Sequence, residues 1–151
     1  MVSLFAFLHH VAAFVLVAAL AVEFVLIDGD LTVRKARKLL VADLVFGVSA
    51  GAVLVVGLLR VFLFEKGAAY YFHSVPFIAK ISLFAVVGVL SIYPTKTFLS
   101  WRESLKQGLV PAVAPQRIAF IRRLMHWELA AIVAILLCAA LMARGVGYLG
   151  G

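Results

Sequence analysis

Acidic residues are scarce in this chain. Its 151 residues include seven Asp and Glu against fourteen Lys and Arg, and only 14% of the sequence is charged while 66% is hydrophobic. Soluble domains carry roughly 25% charged and 45–50% apolar residues, so the balance excludes a water-soluble core wrapped in a charged shell. Cysteine is limited to Cys138, which excludes an intrachain disulfide and any multi-cysteine metal site. Internal repeats and low-complexity runs are missing, and the only linker bearing Pro and Gly runs from Gln107 to Pro115, so residues 1–151 read as a single integral membrane domain. No phosphate-binding loop, nucleophile elbow or zinc-protease helix motif occurs, which removes the reaction classes those motifs serve.

What the chain has in abundance is long apolar runs. Ser3 to Ile27, Leu39 to Phe64, Val75 to Phe98 and Ile118 to Ala143 are each long enough, at about 1.5 Å per residue, to cross a hydrocarbon core of roughly 30 Å. The expected fold is therefore all-α, a bundle of four transmembrane helices. The first run has no basic segment before it, is too long for a signal-peptide core and is followed by no small-residue cleavage site, so it reads as a retained helix.

The formal charge of +7 is unevenly placed. Arg34, Lys35, Arg37 and Lys38 follow the first helix, and Lys96, Arg102, Lys106, Arg117, Arg122 and Arg123 surround the third connection. By the positive-inside rule these connections are cytoplasmic and both termini lie on the opposite side. Basic residues so arranged set topology and touch lipid headgroups, and we read the partner as the bilayer and not nucleic acid.

Helical periodicity sorts the remaining polar groups into faces. On the second helix Asp43, Gly47, Ala50, Gly51, Leu54 and Gly57 share a side that is expected to pack against protein, and Gly47 and Gly51 form a small-xxx-small pair suited to a contact within the bundle or to a homodimer. On the third, Lys80, Phe84, Gly88 and Ser91 align; on the first, His9 and Glu23 nearly do, with His10 turned by about 100°. Alternating helix directions then place His9, His10, Arg60, Lys80 and Arg144 in an outer layer, with His73 near that surface. Glu23, Asp43, His126 and Glu128 fall in an inner one. The outer layer has no carboxylate other than Glu65, which suits an anionic ligand.

Ionisable groups at membrane depth are costly and mark function by default. His9 and His10 are candidate metal or haem ligands, or else interfacial groups bonded to headgroups or a carbonyl. Lys80 is a second axial ligand, a contact for a carboxylate, a Schiff-base lysine, or a side chain snorkelling to the interface. Arg60 and Arg144 clamp the propionates of haem or another anion, or anchor helix ends. The inner layer is a proton path, or a network in which Glu23 and Asp43 pair with Arg37, Lys38, Arg122 or Arg123. His126 and Glu128 are two apart, which is the wrong spacing for a dinuclear carboxylate site.

The stretches Phe7-Leu8-His9-His10, Gly57-Leu58-Leu59-Arg60-Val61-Phe62, Glu65-Lys66-Gly67, Ala79-Lys80, Ser91-Ile92-Tyr93-Pro94-Thr95 and Cys138-Ala139-Ala140-Leu141-Met142-Ala143-Arg144-Gly145 resemble a group of small bacterial inner-membrane proteins known as a domain of unknown function, over nearly the whole chain. More distantly the chain is similar to the HemJ-type protoporphyrinogen IX oxidases, four-helix membrane enzymes that carry haem. The positions matching that family's first-helix histidine and third-helix lysine are His9 or His10, and Lys80. The sequence departs from the family at Ile78, where a histidine is usual, and at Pro76 or Phe77, where tryptophan is usual. The resemblance implies haem b as cofactor, a porphyrin or quinone as partner, and an oxidoreductase in which His9 or His10, Lys80, Arg60 and Arg144 form the cofactor site. The alternative is a small transporter, channel or assembly subunit without catalysis.

Overall fold

A computed structural model describes residues 2–64, 68–147 and 149. The stretch Glu65-Lys66-Gly67, and with it the outer-layer carboxylate Glu65, lies outside the described residues. The elements are α1 (Val2–Leu26), α2 (Val33–Leu59) continued by a π-helical turn (Arg60–Phe64), α3 (Ala68–Phe72), α4 (Val75–Ser100), α5 (Arg102–Lys106) and α6 (Pro115–Ala143). Among the described residues four helices, of 25 to 32 residues, are long and apolar enough to cross a membrane. A helix satisfies its own backbone, so it suits a solvent that offers no hydrogen bonds.

Helix boundaries depart from the apolar runs where capping chemistry intervenes. α2 begins at Val33 and not at Leu39, because Thr32 is an N-cap whose hydroxyl accepts from the Lys35 amide at 3.1 Å. The basic run Arg34 to Lys38 thus forms the first turns of a helix. α6 starts at Pro115, a residue pre-set for the first helical turn, three residues ahead of Ile118. α4 runs to Ser100, through Pro94.

α1 packs most extensively on α2, and α4 on α6, so the molecule is two helical hairpins meeting along narrower seams between α2 and α4 and between α1 and α6. α2 buries Ala36, Leu39, Ala42, Asp43, Phe46 and Ser49. Gly47 and Gly51 lie just beyond one edge of that stripe and are exposed, and a Cβ built on either meets nothing within 4 Å. The expected small-residue packing face is thus exposed rather than inside the bundle at these two positions. Large apolar side chains also point outward, with Phe14 76% and Val25 70% exposed, as lipid contact allows.

The main core, including Leu20, Leu39, Phe98, Trp101, Ile121 and Met125, fills the end of the bundle that carries the basic residues. There Arg122 pairs with Asp28 at 2.7 Å, Lys35 Nζ donates to the Asp28 carbonyl at 2.9 Å and Arg37 donates to the Leu105 carbonyl at 3.2 Å. At the opposite, terminal end a second small cluster, Val61, Tyr71 and Phe77, caps the bundle. The C-terminal segment closes over it, with the Val75 amide donating to Gly147 O at 3.1 Å and the Leu149 amide to His73 O at 2.9 Å.

Gly147 is required there twice over. Its φ of +77° favours glycine, and a Cβ would approach Pro76 Cδ to 2.9 Å. Gly147→Ala is expected to cost about 1–3 kcal/mol of the clasp and to raise amide exchange at Val75. Gly145→Ala (φ +69°, nothing within 4 Å) should cost less; equal exchange in both variants would refute the steric part of this account.

Candidate functional site

Two polar features stand apart in the fold. The first is a cavity of about 560 Å³ at the terminal end, inside the range of ligand pockets. α1 contributes His9, His10, Ala13 and Leu16; α2 and the π turn contribute Val53, Gly57, Arg60 and Val61; α3 contributes Tyr70 and Tyr71; α4 contributes Phe77, Lys80 and Phe84; α6 closes the far wall with Ile132, Ala139 and Met142. Its opening is a matter of side-chain size. Ala13, Gly57, Ala139, Ala143 and Gly145 lie where bulkier residues would fill the space between the hairpins. Arg60 stands at the first position of the π turn, an interruption of helix geometry often found at functional sites.

His9 is half-buried, with its ring against Gly57. A Cβ at that position would lie 3.1 Å from His9 Cε1, so the absence of a side chain at Gly57 admits the imidazole between α1 and α2. The ring is hydrogen-bonded to the Val53 backbone and lies within electrostatic reach of Lys80 and Arg60, while its Nδ1 is buried without a hydrogen-bond partner. His10 is exposed, and its Nδ1 lies 2.6 Å from the Ala6 carbonyl. The two rings meet edge to face with centroids 6.2 Å apart. His9, His10, Arg60 and Lys80 therefore share one cavity. Arg144 is the exposed C-cap of α6 and is not among the cavity-lining residues, and His73, bonded to Ala69 O within α3's own chain segment, lies off the wall as well.

The second feature is a group of carboxyls nearer the basic end. Glu23, Asp43 and Glu128 come from α1, α2 and α6, are 2%, 6% and 1% exposed, and lie within electrostatic reach of one another. Thr95 of α4 donates to Asp43 Oδ1 at 2.6 Å, so all four long helices contribute. Glu23 Oε1 and Glu128 Oε1 are buried with no hydrogen-bond partner. Of the two readings of the inner layer, a proton path or pairing with the basic connections, the pairing is not seen for Arg122, held by Asp28, or for Arg37, which donates to Leu105 O. The short Asp28-Gly29 turn brings an exposed acid to the helix end, and it intercepts Arg122 before the buried acids are reached. His126 does not join the cluster. It is exposed, its Nδ1 3.0 Å from Arg122 O and its ring edge-on to Phe24 at 4.7 Å, because it stands two residues from Glu128 and so on another side of α6.

Tyr70, Tyr71, Ser74 and Gly57 on the cavity wall, and Thr95 in the carboxyl group, were not singled out as site residues from sequence. Only Thr95 leaves a usable signal there, a hydroxyl one turn inside an apolar run beside Pro94. Among the described residues no three His, Cys, Asp or Glu side chains converge to hold a bare metal ion.

The fold and its two buried polar features define an integral membrane protein with four spanning helices. The family described as Predicted membrane protein (DUF2214) matches residues 2–147, and the chain belongs to it. No curated protein and no solved structure matches the chain.

Removing the Thr95 hydroxyl strands the Asp43 carboxyl. Thr95→Val is expected to destabilise the protein by about 1–3 kcal/mol, and Thr95→Ser by much less. Unfolding in mild detergent checks this, and equal loss in both variants would show that the threonine acts through packing alone.

Proposed function

We propose that the terminal-end cavity binds a cofactor with an apolar body and an anionic edge, with haem b or a related porphyrin as the occupant, and that the protein is a membrane redox protein. The observation that carries this reading is the His9 imidazole on the wall of a largely apolar cavity that also presents Arg60 and Lys80. A buried ring nitrogen without a partner is an unmet polar demand, and Nδ1 of His9 is one. Guanidinium and ammonium groups suit carboxylates, and Arg60 and Lys80 both line the cavity. The HemJ-type resemblance of His9 or His10 and of Lys80 points the same way.

The residues divide the work by chemistry. The ring of His9 would ligate the metal of such a group, with Gly57 leaving room for the imidazole and the Val53 backbone fixing its orientation. Arg60 and Lys80 would hold the anionic edge, or Lys80 would be a further ligand. Phe77, Phe84, Tyr70 and Tyr71 exclude water from the apolar body. The bound group would supply electron transfer, and the protein would tune its potential through the ligating side chain and the dry surroundings.

We further place the chain in the bacterial inner membrane with both termini periplasmic, because ten of its basic residues gather at one end. A homodimer through Gly47 and Gly51 is supported by their exposure on α2.

Absorption spectroscopy of detergent-purified protein, oxidised and reduced, tests the proposal. The expected result is a Soret band with sharp reduced bands, abolished in His9→Ala. Arg60→Gln and Lys80→Gln should each weaken haemin uptake by about tenfold, or about 1.4 kcal/mol. A colourless protein that takes up no added haemin would contradict the proposal and favour a non-catalytic transporter, channel or assembly subunit.

A further inference from the structure

We propose that a groove on the lipid-facing side of the α1–α2 hairpin binds one anionic phospholipid, with an acyl chain laid along the helices and the phosphate held by Arg37 and Lys38. The inference does not depend on what the terminal-end cavity holds. The groove has a volume of about 630 Å³, inside the range of ligand pockets. Its shape follows from side-chain size. Ala19 and Ala42, 6% and 7% exposed, form the floor, and Phe14 and Val41, 76% and 61% exposed, stand out as walls. Along α1 the groove runs from Phe14 to Leu26, about 18 Å at the helical rise, which is close to one leaflet's half of a hydrocarbon core of roughly 30 Å.

The charge sits at one end only. α2 starts at the basic end and runs back along α1, so Arg37 and Lys38 lie at the Leu26 end of the groove while Phe14 and Val45 lie toward mid-span. Both basic residues are exposed. Arg37 donates to Leu105 O at 3.2 Å, a neutral acceptor that steadies the guanidinium without answering its charge. Among the described residues no ion pair reaches Arg37 or Lys38, since Asp28 is taken by Arg122 and Glu103 by Lys106. An apolar slot open to acyl chains, ending in two uncompensated cations at interface depth, has the chemistry of a phospholipid with net negative charge. A zwitterionic headgroup brings its own cation to the same place and gains less. A second copy of the chain does not suit the groove, because a two-fold contact between copies in one membrane would set Arg37 and Lys38 against themselves. Gly47 and Gly51 lie beyond the other edge of the buried stripe of α2, so a dimer through them leaves the groove free.

The deciding experiment reconstitutes the full-length protein in nanodiscs of equimolar dioleoyl phosphatidylglycerol and dioleoyl phosphatidylcholine, and counts by native mass spectrometry the phospholipids retained on release. The expected result is one retained phosphatidylglycerol, favoured over phosphatidylcholine by about tenfold or more. Lys38→Gln should cut that preference about fivefold, and Lys38→Arg should keep it. Ala18→Phe, which fills the groove from an exposed position on α1, should abolish retention of the lipid. Arg117→Gln, an exposed basic residue of α6 away from the groove, should leave it unchanged. Lys38 and Ala18 are both exposed, so the fold does not rest on either. A wild type that retains the two lipids alike overturns the proposal. So does a preference that survives Lys38→Gln or Ala18→Phe, or one that Arg117→Gln weakens as much as Lys38→Gln, since the lipid would then be drawn to the basic end at large and not to the groove.

Discussion

The constraint on which the rest of this structure depends is that a spanning helix has no water along its middle to answer a polar group. Every donor, acceptor or charge inside the bundle has to be met by the protein or by something the protein binds. The consequence is visible in how the chain spends its polarity. Most charges are gathered into an exposed basic end, where Arg122 meets Asp28 and Arg37 meets a backbone carbonyl. The few polar groups left inside fall into a cavity at one end and a carboxyl group nearer the other, and both contain atoms the protein itself leaves unmet.

The two-hairpin construction explains why these features sit where they do. Within each hairpin the helices pack closely; between hairpins the seams are narrower. Toward the basic end the gap is filled by Leu20, Phe98, Ile121 and Met125. Toward the termini Ala13, Gly57, Ala139 and Gly145 leave it open, and the π turn and α3 bend the chain over it, with the Gly147 clasp as closure. Side-chain volume thus decides which end of the bundle is solid and which can admit a ligand.

Much of this was legible in the sequence because the bilayer imposes a simple rule. Apolar runs of the right length give the four spans, and helix direction with a fixed rise gives the depth of each polar group, so His9, His10, Arg60 and Lys80 come out at one level. Rotation about the helix axis was less legible. Arg144 has the right depth but caps α6 outside the cavity, and His126 shares a level with Glu128 but faces another way. Gly47 and Gly51 read as a packing face, yet α2 turns them outward because Phe46 and Ser49 take the buried stripe. Pairing was the least legible of all. Asp43 and Glu128 have basic residues, Lys38 and Arg123, within a turn or two in sequence, and only three-dimensional placement shows that Asp28 intercepts Arg122. Helix starts moved for a local reason as well, the cap at Thr32 and the proline at 115, which apolar length does not register.

The central claim is that the terminal-end cavity is a ligand site and not a packing defect. Native mass spectrometry of the gently extracted protein tests it most directly, comparing wild type with a cavity-filling Ala139→Trp variant. The account predicts a non-covalent small-molecule adduct on the wild type that is missing from the filled variant, with both proteins folded. Adducts that are identical in the two, or lipid alone in both, would contradict it.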